Sequence, residues 1–308
     1  MVNIIFNLYK VFGLKVLLFS SRFLSVSVLQ KVVGRVMLEV GYTSGFFRDI
    51  KFQGFYRGRS HNHILGNQKN DELSEFRNER EFINPPPQYA NMGRCNEKGE
   101  SMFYCTTDLI TAIVESRPTV NEFVTVASFE SLYPGRQFEH RISPVGYRYL
   151  KENTQLSKMM GILNPKNRIQ FTKVDDFLDH LFHMKIKKDA YYYKLSNAVA
   201  KCMLTDIEND IGTKMSQHGL VYSSILRNHA SYNIVLKPFY VNYYKIKVLQ
   251  TFKINKFSEH SLKFSLVRRG YLNGVKRDPA ENYNLRWEEI VQNKNTTLEY
   301  DLINSKYY

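Results

Sequence analysis

One acid closes an otherwise apolar stretch of the chain: Glu115, at the end of Leu109-Ile110-Thr111-Ala112-Ile113-Val114-Glu115. A carboxylate so placed can hold a hydroxyl and stabilise a cation that develops beside it. Arg57 and Arg94 offer planar guanidinium forks that grip phosphate oxygens in pairs, as lysine cannot. The loop Gly93-Arg94-Cys95-Asn96-Glu97-Lys98-Gly99 is rich in turn formers. Its glycines permit positive φ and let backbone N–H groups approach an anion. Tyr104 supplies either a flat face or a hydroxyl. Ser223 and Ser224 close the run Gly219-Leu220-Val221-Tyr222-Ser223-Ser224. No His–Asp relay accompanies them, so a serine here orients another group rather than attacks.

Each of these residues also has a plainer reading. Arg57 reads as a strand residue at the surface, and Glu115 as a solvated acid at a helix end. Ser224 reads as a turn hydroxyl bonding its own backbone. Tyr104 reads as a half-buried core aromatic. Arg94 and Asn96 read as the brace and the turn former of their loop.

Metal chemistry is not expected. Cys95, Cys105 and Cys202 form no CxxC pair, which argues against a structural zinc site. An odd, sparse cysteine set points to a reducing compartment, and the chain is read as cytoplasmic. His180 and His183 share a helical face but lack a carboxylate motif beside them.

Elements that must carry these residues can be read along the chain. Phe52, Phe55 and Tyr56 give strand character ahead of Arg57, and 66–81 reads as a loop or solvated helix. Pro85, Pro86 and Pro87 form a rigid extended connector. Ser101–Cys105 alternates as a short strand. Thr106, Thr107 and Asp108 supply a helix cap, apolar spacing runs through 108–116, and Pro118 stops that helix. Glu122–Phe129 is a second strand. Residues 145–185 read as helical pieces, notably Asp175–Met184, followed by a helix over about 195–207. Strands are expected at 219–222, 232–236, 240–252 and 262–267. Between Lys237 and Arg277, ten Lys/Arg meet one acid, Glu259. That tract reads as a solvated β edge, where lysines oppose aggregation. Interspersed strands and helices give an α+β class.

The balance of 43 Lys+Arg against 29 Asp+Glu leaves a net charge of +14 over 308 residues. It suits an anionic partner without choosing one. Apolar content of 43% excludes a disordered chain. Residues 1–38 carry no acid, while Lys10, Lys15, Arg22, Lys31 and Arg35 interrupt the apolar run. No uncharged stretch nears the ~18–20 residues that span a bilayer. The segment reads as a helical extension packed on the domain, as an interfacial helix, or as sequence ahead of a true start at Met37 or later.

Several motifs follow one another in a fixed order. They are Phe55-Tyr56-Arg57; Pro85-Pro86-Pro87 with Gly93–Gly99; Phe103-Tyr104-Cys105; Thr111-Ala112-Ile113-Val114-Glu115-Ser116-Arg117-Pro118; and His218–Ser224. Tyr193–Ala200 precedes the last of them. The series resembles the RES domain family, named for its Arg, Glu and Ser, over roughly residues 50–240. Cys95 stands where an aromatic is common, and Ser223 where proline is common.

The resemblance implies an ADP-ribosyltransferase-like mixed β core with flanking helices. It places an N-terminal apolar and basic extension at 1–45, a catalytic domain at 46–245 and a basic β-rich extension at 246–308. It implies an NAD-consuming activity that breaks the nicotinamide–ribose bond, with water, phosphate or a protein as acceptor. NAD is then a substrate and no metal is needed. Catalytic roles fall on Glu115, Arg57, Ser224 and Tyr104, and NAD-binding roles on Arg57, Arg94, Asn96, Tyr104 and Ser223. Such proteins are often toxins neutralised by an Xre-type antitoxin. The competing expectation is a non-catalytic basic module that binds nucleic acid or an acidic protein. No recognised nucleic-acid motif supports the nucleic-acid form of it.

Overall fold

The structure is a computed structural model. It describes residues 1, 3, 5, 9, 13, 15–39, 48–51, 54–61, 76–133, 139–146, 165–184, 191–208, 214–224, 231–258, 260–274, 278, 282–290 and 297–302. The expectations for Phe52, for residues 66–75 and for 147–164 lie outside the described residues.

The chain is mixed α+β. Helices α1 (Lys15–Ser20) and α2 (Val26–Glu39) precede strands β1 (Arg48–Lys51), β2 (Phe55–Ser60) and β3 (Phe103–Thr106). Helix α3 (Leu109–Glu115) leads to β4 (Phe123–Ser131) and β5 (Glu139–Pro144). Then come α4 (Pro165–His183), α5 (Tyr191–Leu204), β6 (Ile207–Glu208), β7 (Lys214–Met215), β8 (Gly219–Ser223) and β9 (Tyr232–Leu236). The one-turn helix α6 (Pro238–Val241) precedes β10 (Tyr244–Phe257), β11 (Ser261–Leu272), β12 (Leu285–Glu289) and β13 (Thr297–Asp301).

Two compact units divide these elements. The first holds residues 1–50, 86–102 and 140–223; the second holds 51–85, 103–139 and 224–308.

In the first unit β5 and β8 pair in parallel, Ile142 opposite Gly219. Parallel neighbours need a long crossover, and α4 and α5 lie on it. Helix α2 packs against α5, where Cys202 Sγ donates to the Gln30 carbonyl at 3.2 Å, and Leu29, Val32, Val33, Val36 and Met37 of α2 are buried. Residues 15–39 are thus a helical extension packed on its unit. The expected connector at 85–87 instead runs into a 3-10 turn, Pro87–Tyr89. A proline at the first position of a turn has no donor to lose there and a pre-set φ.

In the second unit the strand order is β9-β3-β2-β4-β10-β11-β12, with β13 also on β11. Strands β10 and β11 have neighbours on both sides. The basic tract is therefore not a sheet edge. Lys247 lies at a register shift with β4 and Lys256 just past one with β11, and both are exposed, while Leu249, Phe252 and Ile254 are buried. Helix α3 covers one sheet face: Ile110, Ile113 and Val114 pack with Val124, Val126, Phe252, Ile254 and Phe264. On β2 this is the face of Gly58, where a Cβ would meet the Ala112 carbonyl oxygen at 2.2 Å. Residue 58 must be glycine for the helix to lie this close. The opposite face carries Phe55, stacked on Phe129 at 5.1 Å between centroids and edge-on to Phe103 at 5.4 Å.

Candidate functional site

Asp108 caps α3 in extended conformation, φ −147° and ψ 159°. Its Oδ1 accepts the Thr111 N–H at 2.8 Å, and its Oδ2 accepts the Thr111 hydroxyl at 2.7 Å and the Ser231 hydroxyl. The first turn is thereby fixed. At the other end Ser116 caps the helix, Arg117 turns left-handed at φ 51°, and Pro118 follows. Seven residues separate these stops, and Glu115 is the last of them.

An acid at a helix C-terminus faces the negative end of the macrodipole. Two donors hold it there. Ser224 Oγ donates to Glu115 Oε1 at 2.7 Å, and Asn233 Nδ2 donates to the same oxygen at 2.8 Å. Ser224 is fully buried, and its N–H is fixed to the Ser231 carbonyl at 2.8 Å. Asn233 is buried on β9, opposite Thr106 in register. Glu115 itself is half-buried. Among the described residues, no donor bonds its Oε2. The arrangement leaves one carboxylate oxygen for a hydroxyl from outside and keeps the charge in place.

Tyr104 sits on β3 opposite Val235, two positions from the Thr106–Asn233 pair. It leaves the sheet on the same face as Asn233, the face on which α3 packs. Arg57 leaves β2 on the other face, since its neighbour Gly58 faces α3. Strands β2 and β3 pair at one position, Tyr56 with Thr106. Beyond it, the Arg57 guanidinium bonds the Tyr104 carbonyl, Nη1 to O at 3.1 Å. The guanidinium carbon lies 5.1 Å from the centre of the Phe103 ring.

Arg57 is 8% exposed, and its Nε has no hydrogen-bond partner. Burial, then the neighbouring Arg59, pushes its guanidinium well below its ordinary pKa. Among the described residues, no carboxylate pairs with it. A buried cation without a counter-charge favours an anion beside it. Arg59, two positions on along the same face, also has a buried Nε without a partner. Cys105, beside Arg57, is buried and its thiol is pushed far up by desolvation, so it is inert.

Arg94, Asn96 and Ser223 belong to the first unit. Arg94 donates to the carbonyls of Leu181, at 3.4 Å, and Met184, at 2.7 Å, at the C-terminal end of α4. A cation there suits the helix end. Asn96 Nδ2 donates to the carbonyls of Asn91, Glu97 and Glu100 at 2.8, 2.9 and 3.0 Å, closing the Gly93–Gly99 loop on itself. Ser223 is buried at the end of β8.

The structure thus brings Glu115 and Ser224 together and sets Tyr104 on their side of the sheet. Among the described residues, no hydrogen bond or ion pair joins Arg57 to Glu115 or Ser224. Asn233 was missed in the sequence, where Tyr232-Asn233-Ile234-Val235-Leu236 reads as a core strand. Its signal was one amide inside that apolar run. Arg59 was missed too, although Arg57 and Arg59 share strand parity. No group of three or more metal-ligating side chains occurs among the described residues.

Comparison with protein-family models, with curated proteins and with solved structures found no match.

Proposed function

We propose that the chain is an NAD-consuming enzyme of the RES type, which breaks the bond between nicotinamide and ribose. The observation that carries this reading is the two-donor clamp on Glu115 Oε1. Nicotinamide in NAD is a cationic leaving group and departs neutral. It needs no general acid, so a single carboxylate is enough, unlike the carboxylate pair of an ordinary glycosidase. Glu115 Oε2 takes a ribose hydroxyl, and the carboxylate charge stabilises the oxocarbenium-like transition state. Ser224 and Asn233 position Glu115. Tyr104 offers its ring to nicotinamide or its hydroxyl to ribose.

Arg57 leaves the sheet on the face away from Glu115, so no contact is expected between its guanidinium and the NAD that Glu115 holds. Its part has a test of its own. Arg57→Lys keeps the charge but loses the fork, and it raises KM for NAD if the phosphates reach it. An unchanged KM assigns Arg57 to packing.

The ordered motifs from Arg57 to Ser224 support the same inference for the fold, an ADP-ribosyltransferase-like core. They also support a toxin-type protein with an Xre-type neutralising partner, for which the net charge of +14 suits an acidic surface. Three cysteines, an odd and sparse set, agree with a reducing, cytoplasmic setting. The experiment is incubation of the pure protein with NAD, with water, phosphate or cell extract as acceptor, while free nicotinamide is followed. Wild type releases nicotinamide and Glu115→Ala does not. Equal release by the two proteins in all three conditions ends the proposal.

A further inference from the structure

Helices α1 and α2 spend most of their apolar surface inside the first unit. Leu17, Leu24, Leu29, Val32, Val33 and Val36 are buried. Two rings are left out. Phe19 is 63% exposed and Phe23 is 72% exposed, and they touch each other with centroids 5.4 Å apart. The chain turns tightly between them, with Arg22 N–H bonded to the Phe19 carbonyl and Phe23 N–H to the Ser20 carbonyl. The pair stands at the bend that joins α1 to α2.

Within residues 15–38 the charged side chains are all basic. Lys15 and Arg22 are exposed beside the rings. The outer stripe of α2 reads Ser27, Lys31, Arg35 and Leu38, all exposed, and Arg35 also donates to Asn3 Oδ1. The first acid in the chain is Glu39. No helix of the described residues is long and apolar enough to cross a membrane.

We propose that the Phe19–Phe23 bend is a docking wedge for an anionic membrane surface. The two rings enter the boundary between headgroups and acyl chains, while Lys15, Arg22, Lys31 and Arg35 meet lipid phosphates. Charge complementarity and ring exposure together select this partner. A lipid surface accepts a projecting ring pair without a matching pocket, and anionic headgroups complement a segment that is basic throughout. The proposal does not rest on the NAD reading.

The test is co-sedimentation of the full chain with vesicles of phosphatidylcholine, with and without phosphatidylglycerol. Wild type binds the vesicles that contain phosphatidylglycerol. Phe19→Ser/Phe23→Ser keeps every charge and weakens binding by about fivefold or more. Lys15→Gln/Arg22→Gln weakens it similarly. Lys247→Gln/Lys256→Gln, with the same loss of charge at exposed sites of the other unit, stays within about twofold. All six sites are exposed, and unchanged far-UV circular dichroism checks that the variants fold.

The proposal fails if wild type binds neither vesicle or binds phosphatidylcholine alone equally well. It fails if the Phe variant binds as wild type does. Equal weakening by the Lys247/Lys256 pair would assign the binding to net charge and also overturn it. Ring-dependent retention on immobilised polyglutamate, without vesicle binding, would point to an acidic protein instead and overturn it too.

Discussion

Gly58→Ala should loosen the helix that carries Glu115. A Cβ at this position would lie 2.2 Å from the Ala112 carbonyl oxygen and 3.0 Å from its carbon. Side-chain carbons essentially never approach a neighbour closer than 3.0 Å, so strand β2 or helix α3 must yield by roughly 0.8 Å. The obstacle is backbone on both sides, so no rotamer change relieves it. Overpacking of this kind costs about 1–3 kcal/mol. The expected result in urea unfolding is a lower midpoint at unchanged slope. Because α3 presents Glu115, a displacement near 1 Å should also cut catalysis by about 100-fold. A stability change under ~0.5 kcal/mol would refute the reasoning, since the helix would then have had room.

Gly34→Ala is the converse change. Its Cβ would meet only Cys202 Sγ, at 3.7 Å, within a regular helix. It should stabilise by about 0.5–1 kcal/mol in the same assay. Ser224→Ala and Asn233→Ala should each lower kcat with little effect on KM, by about tenfold. A double-mutant cycle should show them coupled through Glu115 Oε1, and additive effects would contradict that.

His140 should make the protein acid-sensitive. Burial first, and the His218 ring second, lowers its pKa from 6.5 to about 4. The folded value is the depressed one, so the unfolded chain binds the extra proton between these limits. The stability is fully present above about pH 6.5 and is lost as pH falls toward 4. The loss is about 3 kcal/mol at most. His140→Gln should flatten that window of a stability-against-pH curve, and an unchanged curve would clear His140.

Local signals made the frame around Glu115 legible. Asp108, the 3.6-residue apolar spacing and Pro118 bound a helix, and the structure has it within a residue at each end. The strand at 122–129 and the strand at 232–236 reported themselves through apolar runs. The Glu115–Ser224 contact was legible only through ordered motifs, because 109 positions separate the two residues. Asn233 was hidden since its value comes from register with Thr106, a tertiary fact. Arg94 shows the opposite difficulty. An arginine beside a glycine loop suggests an anion, but the carbonyls of Leu181 and Met184, which accept from Arg94, lie at a helix end far along the chain. The basic tract misled for a similar reason. Many lysines in a β tract suit a solvated edge, and only strand order shows that β10 and β11 have neighbours on both sides.

In the proposed reaction the Glu115 charge stabilises the cleavage of NAD. The most direct test is the rate of nicotinamide release at saturating NAD by Glu115→Gln beside wild type. The amide keeps the shape and an oxygen for Ser224 and Asn233 but carries no charge. A fall of about 100-fold or more is predicted. Release within twofold of wild type, or none from wild type itself, would contradict the account.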